Sequence, residues 1–98
     1  MTLVPVPDNA VAYQATAVAI GGRAILIEGE SGSGKSSLAL ALIDRGAALV
    51  GDDGVLLGDI GGVLWAFPHP NTQGLIEIRN VGIARMPSVP APVALAVT

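Results

Sequence analysis

Apolar residues run through this chain in short blocks, set apart by glycine pairs and prolines. Val11 to Ile20 is rich in Val, Ala, Thr and Ile and reads as a strand. Gly21-Gly22 then supplies a two-residue turn into Arg23–Glu28, which predicts a hairpin. A second hairpin follows the same logic, with Val55-Leu56-Leu57 and Val63–Phe67 flanking Asp59-Ile60-Gly61-Gly62. Between them, Leu38-Ala39-Leu40-Ala41-Leu42-Ile43 is built of good helix formers and predicts a helix from about Lys35 to Asp44. That helix is apolar on nearly every side, so it is expected to be buried against a sheet. Arg45-Gly46 ends it, with glycine just past the last turn.

The remaining blocks are shorter. Ala47–Val50 reads as a buried strand and Pro68–Thr72 as a loop. Gly74 to Ile83 reads as one half-buried strand, in which Glu77 and Arg79 share a face opposite Ile76 and Ile78. Pro87, Pro90 and Pro92 mark a linker into a last short strand, Val93–Val97. Residues 1–10, stiffened by Pro5 and Pro7, read as an extended, loosely held arm. The chain is therefore expected to comprise that arm and one domain, residues 11–98. The fold class is α/β: a mixed sheet with one central helix and two flanking hairpins.

Composition narrows the function classes. Apolar residues make up 51% of the 98 residues and charged ones only 13%, so nearly every element is expected to bury a face. A net charge of −3 argues against general nucleic-acid binding, which needs a basic face. With no cysteine there is no disulfide, thiol nucleophile or thiolate metal site. The N-terminus lacks a basic segment ahead of an apolar one, and no apolar run is long enough to span a bilayer. A cytoplasmic protein without membrane or nucleic-acid partners is the expectation. His69, the single histidine, is fenced by prolines and reads as a surface-loop residue.

One stretch carries chemistry. Gly29-Glu30-Ser31-Gly32-Ser33-Gly34-Lys35-Ser36-Ser37 follows the apolar run Ala24–Ile27 and opens into the helix. It matches G-x-x-x-x-G-K-[ST] in a strand-to-helix setting, the arrangement of a P-loop. Glycines let successive backbone N–H groups aim at an anion, and the helix start adds its positive end. Lys35 would reach the terminal phosphates of a nucleotide, and the Ser36 hydroxyl would hold Mg²⁺. A flexible Gly/Ser turn with one exposed lysine is the competing reading, and the flanking elements weigh against it. Asp52-Asp53 ends the next strand, where α/β sheets bind ligands. The composition Gly51-Asp52-Asp53-Gly54 equally suits a solvated turn, and spacing alone leaves both readings open.

Taken in order, these residues resemble the catalytic domain of HPr kinase/phosphorylase. The hairpin leads into GESGSGKSS, the helix ends in LIDRGAALV, the pair GDD follows, and LIEIRNVGI is similar to the family signature L-E-[IV]-R-G-[LV]-G-[IV]. The resemblance runs from about Tyr13 to Thr98 and is nearest to short forms lacking the family's N-terminal domain. It implies a fold shared with the phosphoenolpyruvate carboxykinases, ATP or pyrophosphate with Mg²⁺ as cofactors, and serine phosphorylation of HPr. It also implies possible phosphorolysis of the product and leaves a homo-oligomer open. By this resemblance Lys35 binds phosphate, Ser36 and Glu77 hold metal, and Asp53 moves the serine proton, with Asp52 beside it near the metal. Arg79 would lie next to the transferring phosphoryl group.

The sequence departs from the family at Gln14, where a catalytic histidine is usual, and at Asn80, where glycine is usual. The family's further arginine lies in a loop beyond the position of Thr98, so the chain is expected to be a partial catalytic domain, truncated at the C-terminus. The expectation is a chain that binds nucleotide yet transfers phosphate poorly. The alternative to a kinase is a non-catalytic ATP-binding module, and a small-molecule P-loop kinase is a third reading.

Overall fold

The computed structural model describes residues 4–29, 34–78 and 81–97. Nine strands and one helix are described: β1 (Val11–Tyr13), β2 (Thr16–Ile20), β3 (Arg23–Ile27), α1 (Lys35–Asp44), β4 (Ala48–Gly51), β5 (Val55–Ile60), β6 (Val63–Pro68), β7 (Leu75–Ile78), β8 (Gly82–Arg85) and β9 (Ala91–Val97). Seven strands form one sheet in the order β1-β5-β6-β9-β3-β2-β4, and β7 and β8 pair separately. Only β3 and β9 run parallel; the other ladders are antiparallel, so the sheet is mixed. No helix among the described residues is long and apolar enough to cross a membrane.

Both predicted hairpins form, and the turn chemistry explains why. Gly21 and Gly22 have φ of 59° and 79°, and Gly61 and Gly62 have 59° and 85°. Two consecutive left-handed residues match the twist of the flanking strands, and only glycine adopts them without strain. Val11–Ile20 is not one strand, however. It breaks at Gln14-Ala15, because β1 pairs with β5 while β2 pairs with β3 and β4. β1 and β4 are the two ends of the sheet order, yet β1 reaches β2, and β4 reaches β5, through two or three residues. Such links span about 10–14 Å at most, so the sheet curls back on itself.

The curl gives the sheet an inner and an outer face. Ala17, Ala19, Ala24, Leu26, Val50, Val55, Ala66 and Ala91 line the inner one. Val18, Ile27 and Leu49, the alternate residues of β2, β3 and β4, point outward and pack on Ala39 of α1 and Ile76 of β7. Full burial of side chains such as Leu49, Ile76 and Phe67 contributes about 1.5–3 kcal/mol each.

α1 has the predicted bounds and a Schellman ending. The Gly46 N–H bonds the Ile43 carbonyl, the Ala47 N–H bonds the Leu42 carbonyl, and Gly46 has φ 107°. α1 is buried against the sheet as expected, but on one side only. Only Lys35 and Ala39 are buried, while Leu38 is 46% exposed. α1 lies outside the curled sheet, so only the side carrying Ala39, Leu40, Leu42 and Ile43 has something to pack on.

Three other expectations change. The segment from Gly74 to Ile83, expected as one strand, falls in two, β7 and β8, which pair antiparallel with Glu77 opposite Ile83. The proline segment is no free linker: Ser88 bridges Leu49, and Pro92 sits opposite Trp65 near the start of β9, where a missing N–H is tolerated. The N-terminal arm is held. Asn9 exchanges two hydrogen bonds with the Asp59 main chain, and Pro7 sits against Gly58.

Candidate functional site

β2 runs antiparallel to both β3 and β4 and lies between them. Its first residue therefore meets the last residues of both neighbours: Thr16 pairs with Ile27, and Ala17 with Gly51. β3 leads to Gly29, and β4 leads to Asp52-Asp53. The start of α1 closes the third side through Lys35 and Ser36.

Gly34 precedes α1 with φ 90° and ψ 14°, a left-handed conformation, and no side chain among the described residues caps the helix. The first-turn N–H groups have no intrahelical partner and face the segment that leads into α1. Of the sequence-predicted loop, Gly29 is exposed with φ 146°, Ser36 is half-buried and Ser37 exposed. Glu30, Ser31, Gly32 and Ser33 lie outside the described residues, as do Arg79 and Asn80.

Asp52 is the hub of the cluster. Its Oδ1 accepts hydrogen bonds from the Ser36 hydroxyl at 2.7 Å and the Thr16 hydroxyl at 3.1 Å. Its Oδ2 accepts from the Glu77 backbone N–H at 2.9 Å. One carboxylate thus ties together the start of α1, the start of β2 and the middle of β7. Such charge-assisted bonds are about twice as strong as neutral ones.

Asp53 faces differently. Its Oδ1 lies 3.2 Å from the Lys35 ammonium, and the two side chains are 53% and 6% exposed respectively. The lysine stem is packed away while the carboxylate stands in solvent, so the pair contributes at most about 1 kcal/mol. Asp53 has φ 64°, the one described non-glycine residue in the left-handed region. The turn carrying it is tight, since a Cβ on Gly51 would lie 2.5 Å from the Gly54 carbonyl oxygen. Gly51–Gly54 is thus a tight turn in which the Asp52 carboxylate is held by three donors while that of Asp53 is paired with Lys35 yet half-exposed.

Sequence reasoning brought Lys35, Ser36, Asp52 and Asp53 into consideration, and the fold gathers all of them. It brings the main chain of Glu77 to the same place. The Glu77 carboxylate itself is exposed and has no hydrogen-bond partner among the described residues. Thr16 was missed. It is fully buried and binds both aspartates, yet it looked like one more β-branched strand residue. The available signal was its register: it shares the outer face of β2 with Val18, where a hydroxyl needs a partner.

Two neighbouring features stand apart from this chemistry. His69 Nδ1 accepts the Asn71 N–H within its own loop, at 3.2 Å. An apolar groove of about 700 Å³, lined by Val4, Val6, Trp65, Phe67, Pro90 and Pro92 among others, shares no residue with the cluster.

The chain is similar to known proteins in both sequence and fold. The family model described as HPr Serine kinase C-terminal domain matches residues 8–89. The HPr kinase/phosphorylase of Clostridium novyi is 47% identical over 68 residues, covering 69% of this chain and 22% of the relative. That of Clostridium beijerinckii is 50% identical over 66 residues, covering 67% and 22%. The chain thus spans about a fifth of the length of these relatives. The structure of the HPr(Ser) kinase/phosphatase from Coxiella burnetii superposes with a TM-score of 0.79 at 32% identity, covering 88% of this chain and 57% of that one. A mixed sheet of these strands with a single helix, carrying a matched segment over most of its length, identifies the chain as a member of the HPr serine kinase C-terminal domain family.

Proposed function

We propose that this chain is the nucleotide-binding part of a kinase that phosphorylates a serine of HPr, with Gly29–Ser37 acting as a P-loop. The observation that carries this reading is the convergence of Lys35 and Ser36 on the adjacent pair Asp53 and Asp52. A lysine and a hydroxyl at a helix start, each facing a carboxylate across a strand end, is the donor set that MgATP needs. Family membership supports the acceptor, because the relatives are named HPr kinase/phosphorylase.

The residues present suit Mg²⁺. They offer hard oxygen donors: the Ser36 hydroxyl, the Asp52 carboxylate next to it and the Glu77 carboxylate on β7. No group of three or more acidic or histidine side chains converges among the described residues, so waters would complete the shell. Bound Mg²⁺ supplies positive charge to the phosphate oxygens. Ser36 could point a lone pair at the metal while its hydroxyl still donates to Asp52.

Lys35 exchanges its partner Asp53 for the phosphates of ATP, a short move for a flexible stem. Asp53, already half in solvent, is then free to meet the acceptor. The serine oxygen attacks the γ-phosphorus, the bond to the β–γ bridging oxygen breaks, and ADP leaves. The serine proton passes to Asp53 as the new O–P bond forms. In the reverse sense, with phosphate as attacking group and pyrophosphate as product, Asp53 returns a proton to the serine oxygen.

A second reading, a nucleotide-binding module without transfer, is favoured by Gln14. Exposed between β1 and β2, it can hydrogen-bond a phosphate but cannot carry positive charge. The test is transfer of labelled phosphate from ATP to HPr. It should be run on the chain, on Asp53→Asn, and on a version extended past Thr98. Transfer that falls at least about 100-fold in Asp53→Asn supports the kinase. Nucleotide binding with no transfer in any version supports the module instead.

A further inference from the structure

We infer that Thr16 is the positioning residue of the acidic pair, holding Asp53 in its left-handed conformation and Asp52 in its bonded one. Hydrogen-bond polarity fixes how it does so. The Asp53 N–H can only donate, so at 3.2 Å the Thr16 oxygen must accept from it. The single hydroxyl proton is then free for Asp52 Oδ1, 3.1 Å away, a carboxylate that can only accept. One side chain thus grips the main chain of one aspartate and the side chain of its neighbour.

Burial makes this grip stiff. Thr16 is 0% exposed, so water cannot substitute for either partner. Its pairing with Ile27 on β3, beside that of Ala17 with Gly51 on β4, seats the residue between the ends of the two neighbouring strands. A left-handed aspartate at φ 64° persists only where the surroundings over-determine it, and the bond to Thr16 is the one that fixes the Asp53 amide. Because Asp53 aims its carboxylate from that conformation, the Thr16 hydroxyl sets where the proton acceptor stands. A methyl in its place would keep the packing and lose both bonds.

The consequence for transfer rests on the kinase reading above, whereas the consequence for the Asp53 amide does not. Thr16→Val and Thr16→Ser in the chain separate the two. The first readout is amide hydrogen exchange at Asp53, followed by nuclear magnetic resonance. Thr16→Ser keeps wild-type protection, and Thr16→Val exchanges about tenfold faster. The second is phosphate transfer from ATP to HPr. Thr16→Val lowers kcat about 10- to 100-fold with KM for ATP within about threefold, and Thr16→Ser restores it.

Wild-type exchange at Asp53 in Thr16→Val overturns the inference, whatever the transfer rate. A Thr16→Val chain that loses ATP affinity and stability together, with kcat unchanged, also overturns it, because that pattern belongs to packing. If Thr16→Val does not fold, Thr16→Ser decides: lost protection in a folded serine variant shows that the methyl, not the hydroxyl, was needed. If the wild type transfers no phosphate, the exchange measurement alone decides the role of Thr16, and the version extended past Thr98 decides the kinase reading separately.

Discussion

Asp52 and Asp53 are neighbours of identical chemistry, and the structure gives them opposite weights in stability. Replacing each by asparagine changes no shape and isolates the charge. Asp52 accepts from Ser36, Thr16 and the Glu77 N–H across its two oxygens. Asparagine has one carbonyl oxygen, so whichever way the amide turns, at least one donor meets an NH₂ group. If that donor is the buried Thr16 hydroxyl, it is left unsatisfied at a cost of about 1–3 kcal/mol, and the surviving bonds lose their charge assistance. Together the loss comes to about 3 kcal/mol. For a domain of this size, at about 4–8 °C per kcal/mol, the melting midpoint falls by about 12–24 °C.

Asp53→Asn loses only a half-exposed pair with Lys35 and keeps a side chain that tolerates the left-handed region. Its cost is about 0.5 kcal/mol, or about 2–4 °C. Thermal and urea denaturation followed by circular dichroism measure both. Equal losses, or a larger one for Asp53→Asn, would refute the assignment of Asp52 as the hub.

Two glycines give independent checks. Gly46→Ala forces a side chain into φ 107° at the end of α1, and urea denaturation should show a loss of about 1–2 kcal/mol. Gly58→Ala puts a Cβ 2.6 Å from the Pro7 ring, so the arm should lift away. Limited proteolysis should then cut residues 4–10 faster while the rest of the domain stays resistant.

Much of the fold was legible because its punctuation is local. Gly21-Gly22 and Gly61-Gly62 dictate hairpins, and Arg45-Gly46 stops α1, from the chemistry of a few residues each. The breaks that escaped notice are tertiary. Nothing in Gln14-Ala15 forbids a continuous strand; the chain divides there because β1 and β2 join different parts of the curled sheet. The β7–β8 hairpin hid because Leu75–Ile83 keeps β-branched residues at short intervals, with no glycine pair or proline to mark a turn. The helix packs on the sheet as its composition suggested, but apolar residues all round do not supply a partner on every side, and Leu38 stays exposed.

At the site, Lys35, Ser36 and the aspartates stood out because their spacing matches a known phosphate-binding arrangement. Thr16 did not, because a threonine in a strand is ordinary. Only the pairing of β2 between β3 and β4 reveals that its hydroxyl lies between two carboxyl-bearing residues. Sequence spacing also could not show that Asp52, rather than Asp53, organises the cluster.

The central claim is that Lys35 and the segment leading into α1 form a nucleotide phosphate site. Calorimetric titration of MgATP into the wild-type chain and into Lys35→Ala tests it most directly. The Lys35 side chain is buried and its partner Asp53 half-exposed, so Lys35→Ala is checked for folding by circular dichroism; in the folded variant binding should weaken at least about tenfold, the loss of one charge-assisted contact to phosphate. Saturable heat in the wild type that is strongly reduced in Lys35→Ala is the predicted result. Equal heats in the two proteins, or none in the folded wild type, would contradict the account.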